Sequence, residues 1–64
     1  MNIAEYIDKI RESQGRTKAW VAKQLDMNYK TFVDKISNNT FRADELIEIA
    51  KILNIDLNKL KEEL

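Results

Sequence analysis

The chain has no cysteine, no histidine and no proline, and Gly15 is its one glycine. Without cysteine there is no disulfide or thiolate metal site, an absence compatible with an intracellular compartment. Without histidine as well, the usual zinc, serine-hydrolase and cysteine-protease constellations cannot be assembled, so no metal or cofactor is expected. The adjacent acid pairs Asp44 with Glu45 and Glu62 with Glu63 diverge by about 100° around a helix and cannot converge on one substrate, so an enzyme is not expected either. No apolar run approaches the roughly 20 residues of a membrane span, and the first residues lack a basic stretch followed by an apolar one. A cytoplasmic protein with no membrane partner is the expectation. The scarcity of glycine and proline leaves no long linker, no low-complexity tract and little encouragement for hairpins. No internal repeat is evident. At 64 residues the chain suffices for one domain, 1–64, which buries only roughly 60% of the surface its unfolded form exposes.

What is present is helical periodicity, and the reading is all-α with five short helices around one core. Ile3, Ile7 and Ile10, with Tyr6, recur at three- and four-residue steps and predict a first helix over about 3–14 that stops at Gly15. Thr17 is a good N-cap for a second helix over about 18–25, with Val21, Ala22 and Leu25 inward. Asn28 can cap a third over about 29–37, anchored by Phe32 and Ile36, and residues 38–40 read as a loop. A fourth begins near Ala43 and buries Leu46, Ile49, Ala50 and Leu53, with Ile47 and Ile52 widening the stripe; Asp44 and Glu45 suit its positive end. Asp56 can cap a short fifth helix on which Leu57, Leu60 and Leu64 share one side.

The formal net charge is zero, but the charges are unevenly spread. Residues 9–42 hold eight bases against three acids, and the remainder holds three bases against eight acids. A positive face over the middle of the chain and a negative face behind it would orient the molecule towards phosphates despite the neutral total.

The most informative stretch is 17–36, TKAWVAKQLDMNYKTFVDKI, where two short helical patterns meet across a break at Asp26, Met27 and Asn28. Two helices joined by so short a turn cross closely only where a small side chain separates them, and Ala22 has that place. The turn needs a residue that tolerates positive φ, for which Asp26 is the candidate, and Met27 then points inward. The pattern K18-x-x-x-A22-x-x-x-D26 followed by MNYKTFVDKI resembles the Cro and C1 repressor type of helix-turn-helix domain, and the continuation FRADELIEIAKILNIDL extends the resemblance over about 3–60. The resemblance implies a compact five-helix lambda-repressor-like fold, binding to double-stranded DNA as a homodimer, and a small regulator of phage or mobile-element origin. Three positions depart from that family: Asp26 stands where glycine is usual, Lys18 where glutamine is frequent, and Arg42 where a serine or threonine would cap the fourth helix.

If the third helix enters the major groove, Lys30, Val33, Asp34 and Ser37 form its outer face and Asn28 and Tyr29 its leading tip. Lys30 can donate to guanine, Asn28 can read adenine or hold a phosphate, and Val33 can meet a thymine methyl. Asp34 can accept from cytosine or pair with Lys30 instead. Arg16, Lys18, Lys23, Lys35, Ser37 and Arg42 are candidates for backbone contacts, which position without reading sequence. Trp20 should be partly exposed, as a core edge or as a stacking or subunit contact. Leu57, Leu60 and Leu64 with Ile55 either form a dimer surface or close the monomer's core. The function expected is a sequence-specific transcriptional regulator on a palindromic operator. The alternative is a protein-binding module on the same fold, such as an antirepressor or a phage-encoded inhibitor of a host defence complex.

Overall fold

Short polar side chains start four of the five helices. A computed structural model describes residues 1–63, in which α1 (Ile3–Ser13), α2 (Lys18–Gln24), α3 (Tyr29–Asn38), α4 (Ala43–Leu53) and α5 (Leu57–Glu62) follow one another with no strand among the described residues. Asn2 accepts from the Glu5 N–H at 2.8 Å, Thr17 from Trp20 at 3.0 Å, Asn28 from Lys30 at 2.9 Å and Asp56 from Asn58 at 2.9 Å. Each satisfies one of the amide groups that a helix start leaves without a partner. None of these helices is long and apolar enough to cross a membrane.

Helix ends use the left-handed region. Gly15, Asp26, Asn39 and Asn54 have φ between 55° and 69°, and in each case the next residue's N–H reaches back five residues: Arg16 to Arg11, Met27 to Ala22, Thr40 to Lys35 and Ile55 to Ala50, at 2.8–3.2 Å. This bond closes a helix by engaging a carbonyl left over in its last turn. With a single glycine available, asparagine and aspartate supply the other three corners, because their short polar side chains tolerate the left-handed region better than other residues. The expected loop over 38–40 is therefore shorter, since Asn38 completes α3 and Asn39 is the corner.

Val21, Ile7, Phe32, Ile49 and Leu53 are fully buried and form the centre of one core. Burying a side chain of this size contributes about 1.5–3 kcal/mol. α3 packs on α1 and α2, α4 packs on α2, and α5 packs on α4. Phe41, which the periodicity does not pick out, sits with its ring 5.7 Å from that of Phe32. Leu60 is buried and closes the monomer's core, whereas Leu57 is exposed and Ile55 half-buried; Leu64 lies outside the described residues.

The structure exposes a repeat that the sequence reading missed. Residues 21–32 (VAKQLDMNYKTF) and 49–60 (IAKILNIDLNKL) align without a gap at an offset of 28 residues. Val21 and Ile49, Ala22 and Ala50, and Phe32 and Leu60 are buried in matching pairs. Asp26 and Asn54 share the left-handed backbone, and Asn28 and Asp56 cap the following helices in the same way. Both α2–α3 and α4–α5 are thus built on one corner.

Three contacts tie distant segments together. The Asn39 side chain accepts the Ala4 N–H at 3.1 Å, adding a second cap to the start of α1, and the Gln14 amide donates to the Leu53 carbonyl at 2.7 Å. Lys35 meets both carboxylate oxygens of Glu45 at 2.6 and 2.8 Å, joining α3 to α4.

Candidate nucleic-acid interface

α3 is held at both ends and in the middle: Asn28 caps its start, Phe32 anchors it in the core, and Asn39 turns the chain away from its end. Fixing those inward groups determines which side chains face out. Tyr29, Lys30, Asp34 and Ser37 are exposed, as is the capping Asn28, while Val33 is half-buried. By helical spacing Lys30, Val33, Asp34 and Ser37 share one side. Among the described residues Lys30 has no carboxylate within 4 Å, and the Lys30–Asp34 pair weighed from their spacing is not formed. The ammonium of Lys30 is left to solvent at the head of α3. Asn28 is more constrained. Its side-chain oxygen already accepts the Lys30 N–H, so a two-point contact with adenine, which uses both ends of the amide, competes with the cap.

The candidate backbone contacts divide sharply. Lys18, half-buried, and Lys23, exposed, stand on α2 without an ion pair among the described residues. Arg16 is exposed and its guanidinium lies 4.2 Å from the centre of the Trp20 ring. Trp20 is half-buried, with part of its surface packed on the core. The core-edge placement expected of Trp20 is seen, and Arg16 lies over its ring. Lys35, by contrast, faces α4 and is committed to Glu45, with only 20% of its side chain exposed. Arg42 is exposed, but its guanidinium meets both oxygens of Asp44 at 3.0 and 3.1 Å. Arg42 makes no side-chain cap hydrogen bond, and the Glu45 carboxylate turns back to accept the Arg42 N–H at 2.8 Å. Burial pushes the Glu45 carboxyl upward, but the bond from Arg42 and the ammonium of Lys35 outweigh it and hold the group below its ordinary value near 4.5.

These pairs correct the expectation of a positive face backed by a negative one. Arg11, counted among the eight bases of 9–42, is buried against Asp8 at 2.8 Å and donates to the Arg16 carbonyl at 2.6 Å. Arg11, Lys35 and Arg42 are each neutralised by an acid from the supposedly separate negative segments, Asp8, Glu45 and Asp44. Five bases of that stretch remain against three acids. The surplus is smaller and confined to Lys9, Arg16, Lys18, Lys23 and Lys30. A shallow depression of about 320 Å³ opens over Ala19, Lys23, Asp26, Met27 and Tyr29 at the α2–α3 corner. Among the described residues no group of acids could hold a metal ion.

Comparison with family models, with characterised proteins and with solved structures gives no match.

Proposed function

We propose that the chain is a sequence-specific DNA-binding regulator of the Cro and C1 repressor type. In this reading α2, the Asp26 corner and α3 act as a helix-turn-helix within a lambda-repressor-like fold, with α3 in the major groove and two copies on a palindromic operator. The observation that carries the reading is the outward face of α3, where Tyr29, Lys30, Asp34 and Ser37 stand in solvent on a helix whose every inward group is fixed. An α-helix with its side chains is about 10–12 Å across, and the major groove, about 12 Å wide, admits it. Lys30 suits guanine, Asp34 suits cytosine N4, and the uncommitted Lys18 and Lys23 suit phosphates.

Selection of bound duplexes from a random pool, repeated with Lys30→Ala and at two salt concentrations, tests it. A palindromic site should be enriched, and Lys30→Ala should lower affinity for it by roughly 1–3 kcal/mol, about 5- to 150-fold, while relaxing preference at one base pair of each half-site. Affinity should fall steeply with salt. Absence of any enriched sequence, with negligible binding at low salt, would sink the proposal.

A second reading, a protein-binding module such as an antirepressor or an inhibitor of a host defence complex, draws on the internal neutralisation of Arg11, Lys35 and Arg42. It predicts that same empty selection.

A further inference from the structure

An acid stands in the middle of the face that α3 turns outward. Asp34 is exposed on the same side as Lys30, one turn further along. Among the described residues no base lies within 4 Å of its carboxylate. Asp8, Glu45 and Asp44 differ in this, each being engaged by a base, Arg11, Lys35 or Arg42. The adjacent Lys35 is turned towards Glu45. Lys30 precedes Asp34 by four residues, which is the weaker order for an ion pair along a helix. Asp34 caps no helix, and aspartate is a poor residue for a helix interior. Nothing in the fold calls for a carboxylate at this position.

A face that enters the major groove meets phosphates and base edges, and an ionised carboxylate can only accept hydrogen bonds. Guanine presents two acceptors there, thymine an acceptor and a methyl group, and adenine an acceptor beside its donor; cytosine alone presents a donor with no acceptor. We infer that Asp34 is a specificity-determining residue that works by exclusion, weakening the hold of α3 on every duplex that does not place a cytosine amine against it. The inference rests on the DNA-binding reading and goes beyond it, because it concerns the duplexes the protein rejects. Exclusion is effective here because the attraction it opposes is small. With Arg11, Lys35 and Arg42 paired internally, five bases of 9–42 remain to meet phosphates, and sequence-independent affinity grows with the number of phosphates neutralised. Lys30 and Asp34 are about 6 Å apart along the helix, so the excluded position lies within about two base pairs of the one Lys30 reads.

Titration of two labelled duplexes, one of random sequence and one carrying the site enriched by selection, tests it with the full chain and with Asp34→Asn. The variant should bind the random duplex about tenfold more tightly and the enriched duplex no more tightly, so that discrimination falls about tenfold. Its helical circular dichroism should be unchanged, because Asp34 is exposed. Selection repeated with the variant should replace a cytosine of the half-site by adenine, which an amide reads with both its ends. Glu62→Gln removes the same charge from α5 and should alter binding of the random duplex less than about twofold. An enriched site together with unchanged random-duplex affinity in Asp34→Asn, or with an unmoved base preference, overturns the exclusion and leaves the DNA reading standing. An equal gain from Glu62→Gln overturns it as well, by assigning the effect to net charge. A parent chain that binds no duplex while Asp34→Asn does would overturn the DNA reading and uphold the exclusion, and binding by neither overturns both.

Discussion

The α2–α3 and α4–α5 corners share a frame and differ in what the frame presents. Both have a buried alanine where the helices cross, an Asx residue at positive φ, and an Asx cap two residues later. Beyond the cap they part. The first continues into a ten-residue helix with Tyr29, Lys30 and Asp34 outward; the second continues into six residues with Leu57, Asn58 and Lys61 outward. The shared frame is therefore a device for turning a short chain back on its core, and by itself it carries no information about a ligand. What distinguishes α3 is its outward side chains and its greater length.

If the corners are equivalent, they should break alike. Ala22 and Ala50 are 2% and 3% exposed, so Ala22→Leu and Ala50→Leu should each cost about 2–3 kcal/mol through overpacking. That is a large share of what so small a domain has. Urea unfolding of the two variants checks this, and a cost at one corner only would mean that the second is a likeness of sequence without the same packing.

The α3–α4 junction is a different joint, held by charge. Glu45 titrates below its ordinary value in the folded chain, so it binds a proton less readily folded than unfolded. Its contribution is complete above about pH 4.5 and is lost as the pH falls through the lowered value. Glu45→Gln should cost about 1–2 kcal/mol at pH 7, where it replaces a charge-assisted contact to Lys35. The gap between the variant and the parent chain should be smaller at about pH 3 than at pH 7, because Glu45 takes up its proton as the pH falls. Urea midpoints at the two pH values decide it, and a gap of constant size would assign the loss to packing instead.

Much of this architecture was legible because it is local. A 3.6-residue period marks which of Ile7, Val21, Phe32 and Ile49 face inward, and caps such as Thr17 and Asn28 act on amides two or three residues away. The left-handed corner at Asp26 was legible for the same reason. The bond from Ala4 to Asn39 spans 35 residues and leaves no trace in spacing. Nor does the burial of Arg11, which on a helix of mixed charge reads as one more surface base. Counting charges along 9–42 failed because a linear segment is not a face: Lys35 and Glu45 fall in segments of opposite balance yet touch. The repeat escaped because only Ala, Lys and Leu are identical at three of its twelve aligned positions, while burial and backbone conformation match at the positions that matter. Among the candidate residues, the outward placement of Tyr29, Lys30, Asp34 and Ser37 was legible in the helical spacing, and the ion pairs of Lys35 and Arg42 were not, because the packing of α4 sets the first and the fold of its N-terminus the second.

The smallest effects separate the corners from one another. Asp26, Asn39 and Asn54 have nearly the same φ, 55°, 55° and 57°, so replacing each with glycine relieves the same backbone cost. That relief, about 1 kcal/mol or more for an L-residue, is partly offset by about 0.5–1 kcal/mol of lost chain entropy. Asp26→Gly and Asn54→Gly should therefore raise stability by a few tenths of a kcal/mol. Asn39→Gly should lower it by about 1 kcal/mol, because it also removes the acceptor for the Ala4 N–H at the start of α1. Thermal unfolding of the three variants under one buffer measures the contrast. A stabilising Asn39→Gly would mean that Asn2 suffices to cap α1 and that the link across 35 residues contributes nothing to stability.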